Sequence, residues 1–369
     1  MRTLYNTPNI DSRTYLSQTW ALIFFMVFNA AIAYQTCSAN EKEQSKLGAQ
    51  ESVGVLNNRF DPRVPIIDPR IARLYIPKGV IASYCSASIA SNGALISAGH
   101  CNVNQNTTVD FNVPLSSSSG SPKNPDQKFK YSVAKIKQQY EQCEYDWAVF
   151  SVKPNSTNQL PAENQKGYFY ISNIPLEENA LISVSGYGSQ STPPCANGAG
   201  CQNIYNLFLK QSSGVVSSTK NSSVYFYAYA TKATSGGPII SDSIVYGVLS
   251  RYTNQKKCAA TFSAGETGEP RFADALHTFP VWAYDKKNID SDAIIYVNQV
   301  SMSQNQTGNY FDPYLNILSG INAANQNNLG NSLLVVEQGN YNAKFGSSLS
   351  LENDITIAML VGDVRIKLK

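Results

Sequence analysis

Three residues, each in its own short motif, could share one reaction. His100 lies in Ser97-Ala98-Gly99-His100-Cys101, Asp146 opens Asp146-Trp147-Ala148-Val149-Phe150, and Ser235 lies in Thr234-Ser235-Gly236-Gly237-Pro238. A serine hydroxyl is a poor nucleophile at neutral pH until a neighbouring base takes its proton. An imidazole can serve as that base when a carboxylate fixes its tautomer and stabilises the imidazolium that forms. Each residue also has a plain structural reading: a serine in a Ser-Gly-Gly-Pro turn, a histidine at a strand end, an aspartate capping a strand. An ionised aspartate leading into an apolar run is costly to bury without a partner, so Asp146 calls for one. The chain has 2 histidines, and His277 has no comparable context; it reads as a surface or packing residue.

The elements that must position these groups read as strands. Cys85–Ala90 and Ala94–Ala98 flank Ser91-Asn92-Gly93, a hairpin signal that places His100 just past a strand end, where a side chain can face a cleft. Asp146 begins another strand. Gly236-Gly237 permits a tight turn and close backbone approach after Ser235. Val224–Tyr229 is a strong β run, and Ile239-Ile240 with Val245–Ser250 form a hairpin behind the serine. Residues 116–126 read as a surface loop, and the polar residues 151–166 as a linker. Phe272 to Tyr284 reads as a closing helix that Pro280 limits or kinks. From residue 288 to 369 the chain is rich in Asn, Gln, Gly and Ser, with apolar clusters at Leu333–Val336 and Ile355–Ala358, and reads as a small β-rich domain.

The order of these motifs, His then Asp then Ser, resembles the chymotrypsin-like (trypsin-fold) serine peptidases over roughly residues 53–287. A looser likeness, at Gly54–Arg59 and the strand Ile71–Ile76, is to the glutamyl-endopeptidase branch. The resemblance implies an all-β fold of two antiparallel six-stranded β-barrels, about 53–160 and 161–287, with a C-terminal helix and then the small β-rich domain. It makes His100, Asp146 and Ser235 the catalytic residues and the N–H groups of Ala233 and Ser235 the oxyanion hole. It places Tyr229 near the base of the primary pocket and Ser250-Arg251-Tyr252 along one wall. Arg251 could attract an acidic side chain or lie solvated on the rim. The resemblance also implies a Cys85–Cys101 bridge. Cys195 and Cys201 could close a small loop, which leaves Cys143 with Cys258. Two departures stand out. Gly99 replaces the more frequent alanine, a mild change. Ala233-Thr234 replaces Gly-Asp before the serine. Alanine keeps an N–H for the oxyanion but has less backbone freedom, and Thr234 cannot pair with a freed N-terminal amine as that aspartate does in zymogen activation.

Composition sets the remaining bounds. A chain of 369 residues can bury a large core in two or three domains. Charged residues are 15% and the net charge is +3, with no basic block to engage nucleic acid. Arg2 and Arg13 precede an apolar run from Trp20 to Ala33, with small-residue cleavage sites at Ala31-Ile32-Ala33 and Cys37-Ser38-Ala39. Residues 1–39 therefore read as an export signal and 40–52 as a flexible leader. A membrane anchor is the competing reading, but the run falls short of the roughly 20 residues needed to span a bilayer. Cleavage after Ala39 removes one of the 7 cysteines and leaves an even set, suited to an oxidising compartment, whose pairing the residues alone leave open. No histidine pair has metal-ligand spacing and no glycine loop has a phosphate-binding pattern. The sequence thus points to a secreted or extracytoplasmic serine endopeptidase. It would be monomeric, free of cofactor, metal and membrane after signal removal, and active on protein or peptide substrates. The alternatives are a catalytically weak or inactive homologue acting as a surface binding or adhesion protein, and a main role for the C-terminal residues.

Overall fold

Alternating apolar and polar residues in the first half of the chain build a closed barrel. In the computed structural model the strands are β1 (Ile71–Lys78), β2 (Ile81–Ile89), β3 (Leu95–Ser97), β4 (Thr108–Asp110), β5 (Lys130–Gln139) and β6 (Trp147–Val152). They close in the order β1-β2-β3-β6-β5-β4, every pair antiparallel. Leu74, Ile89, Leu95, Val109, Phe111 and Phe150 fill the interior. The structure describes residues 62–140, 145–190, 203–220, 223–252, 257–261, 270–286, 289–301, 305–327, 331–337, 339–343, 355–359 and 364–368. The expected signal and leader, residues 1–52, lie outside them. Among the described residues no helix is long and apolar enough to cross a membrane.

A second circuit of strands follows. It comprises β7 (Leu181–Gly186), β8 (Lys210–Lys220), β9 (Ser223–Tyr227), β10 (Pro238–Ser241), β11 (Ile244–Tyr252) and β12 (Lys257–Thr261). The pairings run β7-β8-β9-β12-β11-β10 and return to β7, all antiparallel. Ile182, Val184, Val224, Phe226, Ile239 and Leu249 form its core. Val64–Pro65 adds a short strand beside β8, tying the segment before the first barrel to the second.

The closing helix is broken in two, α1 (Pro270–His277) and α2 (Phe279–Ala283). Pro280 has no N–H to continue the ladder, and Thr278 Oγ1 donates to the Asp274 carbonyl at 2.7 Å at the break. The pair docks on the first barrel: Phe272 meets Trp147 of β6 edge-on with ring centroids 5.5 Å apart, and Lys137 of β5 donates to Thr278 Oγ1 at 3.1 Å.

Beyond it lie β13 (Ile294–Val297), α3 (Ile317–Gln326), β14 (Ser332–Val336), β15 (Gly339–Ala343), β16 (Ile355–Met359) and β17 (Val364–Leu368). The order is β13-β14-β16 in one sheet and β15-β17 in another, all parallel. Parallel neighbours need a crossover, and α3 supplies the one between β13 and β14. Its Asn316 cap accepts from the Ser319 N–H at 2.8 Å. The helix is absent from the β-rich sequence reading: Ile317, Ile321 and Ala324 lie at helical spacing behind the Asn316 cap, but Gly320 and the asparagines around them lower helical propensity. Both faces of the sheet are covered, which explains the unbroken apolar run Leu333-Leu334-Val335-Val336. Ile295, Val297, Leu334 and Val336 face α3. Ile294, Tyr296, Leu333 and Val335 join a core that also holds Ile71, Trp147 and Phe272.

Candidate active site

His100 sits in a one-turn 3-10 helix (Gly99–Cys101) directly after β3. A Cys85–Cys101 disulfide ties that turn to β2, as the family resemblance implies. Gly99 is no mild replacement for alanine here. A Cβ at Gly99 would lie 1.8 Å from the Gln139 carbonyl oxygen and 2.9 Å from that of Trp147. The backbone of β5 comes so close that only glycine fits.

The His100 backbone N–H donates to Asp146 Oδ1 at 2.7 Å, and the ring Nδ1 lies 2.7 Å from Oδ2. A carboxylate only accepts, so the proton belongs on Nδ1 and Nε2 is the free base position. Asp146 is 0% exposed. Ser250 Oγ also donates to Oδ2. Three donors therefore answer the burial of one charge, and such charge-assisted bonds are the strong ones. The sequence reading places Ser250 along the pocket wall; its side chain turns inward to the aspartate. The available signal is a serine ending the apolar run Val248-Leu249.

Ser235 lies on the loop between β9 and β10, and that loop packs against the strands leading to His100. Its carbonyl accepts from the Ser86 N–H of β2 at 2.7 Å. A Cβ at Gly236 would lie 2.1 Å from Ser97 Oγ, 2.3 Å from Ser86 O and 2.9 Å from Ala98 N, and its φ is 77°. Gly236 is thus required twice, by space and by conformation. Ser86 Oγ donates to the Ala233 carbonyl at 3.2 Å and accepts from the Tyr187 N–H at 2.9 Å, while Ser97 Oγ donates to the Ser86 carbonyl at 2.7 Å. Ser86 and Ser97 were not singled out in sequence, although serines at inward positions of apolar strands are the signal that could find them. Among the described residues no hydrogen bond joins Ser235 Oγ to the His100 ring, and neither the Ala233 nor the Ser235 N–H has an acceptor. Ala233 has φ 72°, in the left-handed region that disfavours an alanine.

The remaining expected residues divide. Tyr229 is 40% exposed, and the Arg63 guanidinium lies 5.7 Å from its ring centroid. The backbones of Arg251 and Tyr252 pair with Cys258 and Lys257 in β11 and β12, but their side chains lie outside the described residues. So do Cys143, Cys195 and Cys201, and the side chain of Cys258. Tyr140 packs beside His100 with ring centroids 5.9 Å apart. His277 is a packing residue: Tyr310 N–H approaches its Nδ1 at 3.3 Å, its Nε2 lies 3.2 Å from the Ser291 carbonyl, and burial lowers its pKa. Among the described residues Cys85, His100 and Cys101 form the one cluster of metal-ligand types. Its two sulfurs are bonded to each other, so it offers a cation no thiolate.

The family model described as Trypsin matches residues 60–276. No curated protein matches the chain. Similar solved structures include the thermostable serine protease AL20 from an extremophilic microorganism, 15% identical, with TM-score 0.42 over 54% of this chain and 93% of that one. A Glu endopeptidase is 18% identical, with TM-score 0.39 over 57% and 91%. The protease Anisep from Arthrobacter nicotinovorans is 15% identical, with TM-score 0.42 over 55% and 94%.

Proposed function

The chain belongs to the trypsin family, and from that premise we propose that it is an exported serine endopeptidase acting through Ser235, His100 and Asp146. The observation that carries this reading is the His100–Asp146 pair: a fully buried carboxylate bonded to both the backbone and the Nδ1 of one histidine. Ser235 Oγ attacks the peptide carbonyl as His100 Nε2 takes its proton. The imidazolium, stabilised by Asp146, returns that proton to the leaving amine. Water then cleaves the acyl-enzyme by the same route in reverse. The N–H groups of Ala233 and Ser235, without internal acceptors among the described residues, are the donors for the oxyanion, each worth about 3 kcal/mol in such sites. Nucleophile–base contacts often close only when substrate is bound, so an unjoined Ser235 Oγ fits a resting site.

Substrates would be proteins or peptides, bound along Tyr229 and Ser250-Arg251-Tyr252. The Cys85–Cys101 bridge suits an oxidising compartment and thus export. The test compares purified protein with Ser235→Ala on casein, a peptide library and a fluorophosphonate probe. Wild type is expected to cleave and be labelled at Ser235, with turnover falling by roughly a million-fold in the variant. Equal cleavage by both forms would exclude this serine. The library reads out whether acidic side chains are preferred.

A further inference from the structure

Arg63 stands just ahead of the short strand Val64–Pro65, whose pairing with Lys210 and Gln211 brings it to the second barrel. It is 5% exposed, an unusual setting for an arginine. Its Nη1 donates to Thr234 Oγ1 at 3.4 Å and its Nη2 to the Ser189 carbonyl at 2.8 Å. The guanidinium also lies 5.7 Å from the Tyr229 ring centroid. Thr234 immediately precedes Ser235 and is itself 2% exposed. Thr231 Oγ1 donates to the same Ser189 carbonyl at 2.8 Å, and the Ser189 N–H donates to the Lys232 carbonyl at 2.8 Å. Thr231 and Thr234 are further joined by the Thr234 N–H, which reaches the Thr231 carbonyl at 3.2 Å. Gly188 leaves the space for the cation: a Cβ there would lie 1.8 Å from Arg63 Nη1, 2.4 Å from Thr234 Oγ1 and 2.5 Å from Thr231 Oγ1.

We propose that Arg63 is the positioning residue of the nucleophile loop, fixing Thr234 through its buried guanidinium so that the Ala233 and Ser235 N–H groups face the substrate carbonyl. The inference rests on the reading of Ser235 as nucleophile. It assigns the hold on this loop to a side chain inside the chain, with Ala233 kept in a left-handed conformation that an alanine does not adopt unaided. A planar guanidinium reaching two acceptors in different directions does this where a lysine, a point charge on a flexible stem, would not.

The experiment uses the mature protein with Arg63→Ala, Arg63→Lys and Thr234→Val, read by two arms. In the first, hydrogen exchange of peptides spanning Thr231–Ser235 reports the hold on the loop without any need for catalysis. Arg63→Ala is expected to raise exchange there and not in the first barrel. In the second, fluorophosphonate labelling and peptide turnover report the chemistry. A fall of roughly a hundredfold in kcat with little change in KM is expected for Arg63→Ala. Millimolar ethylguanidinium should restore a large part of it by filling the space over Gly188. Thr234→Val should reproduce the exchange change with Arg63 in place, and add little to Arg63→Ala. Exchange confined to the loop with guanidinium rescue supports the proposal. An Arg63→Ala protein with wild-type exchange and labelling overturns it. So does one whose exchange rises evenly through the second barrel and does not respond to ethylguanidinium, since Arg63 would then serve the fold at large. Failure of the wild type to react with the probe would sink the Ser235 reading alone, and the exchange arm would still decide what Arg63 holds.

Discussion

The two halves of the site are held by different physics. Around His100 the constraint is covalent and steric: a disulfide on one side, and on the other a glycine with no room for a methyl group. Around Ser235 the constraint is polar and partly strained. The loop hangs from hydrogen bonds to Ser86, Leu249 and Arg63, and includes Ala233 at φ 72°. His100 is thus built into a wall, whereas Ser235 is suspended on a loop whose geometry depends on several bonds acting together. Substitutions on the first side should act through packing around His100, and those on the second through the conformation of the loop that carries Ser235.

Gly99→Ala tests that contrast with the largest expected effect. The added methyl meets backbone on two sides, so β5 or His100 must move. A loss of about 1–3 kcal/mol in stability is expected from overpacking, with labelling of Ser235 slowed roughly a hundredfold. Unchanged thermal unfolding and labelling would break the comparison.

Glu337 gives a second lever on the same half. It is buried, and accepts from Ser91 Oγ at 3.0 Å and Asn298 Nδ2 at 2.6 Å. Tyr310 lies beside Ser91, 3.1 Å between hydroxyls. Ser91 belongs to the turn between β2 and β3, the strands that lead to His100. Burial pushes the Glu337 carboxyl up from 4.5 to about 7, against the pull of the two donors. As pH rises the unfolded chain loses this proton first. Glu337 therefore favours the folded state most below about pH 4.5 and costs stability progressively up to about pH 7, by about 3 kcal/mol in all. Glu337→Gln should flatten that part of the stability curve in urea unfolding measured across the same range. An unaltered slope would show that the carboxylate does not titrate in this way.

Ala233→Gly is expected to have the smallest effect, and of opposite sign. Glycine adopts the left-handed conformation freely, so relief of strain should stabilise the protein by about 1 kcal/mol and leave labelling of Ser235 equal or faster. Slower labelling would mean that the loop needs the stiffness of alanine.

The positions of His100, Asp146 and Ser235 were legible in sequence because each motif is local: a hairpin turn before the histidine, an apolar strand after the aspartate, a glycine pair after the serine. Most barrel strands were legible as β-forming runs between turn signals, but Thr108–Asp110, Lys130–Gln139, Lys210–Lys220 and Lys257–Thr261 were not, because they carry no such local signal. Helix α3 was not read, although Ile317, Ile321 and Ala324 recur at helical spacing behind the Asn316 cap, because Ser319, Gly320 and the flanking asparagines weaken helical propensity and favour a turn reading.

What the chain decided alone is the set of chemical groups, their order, and the short-range turns that expose them. Tertiary structure decided which groups meet. The inward turn of Ser250 to Asp146 spans 104 residues, and the reach of Arg63 to Thr234 spans 171. So, too, does the need for glycine at position 99 depend on β5 passing within contact distance of it. Contacts of that length are fixed by how sheets close and pack, not by neighbours along the chain, and the sequence does not say which groups they join.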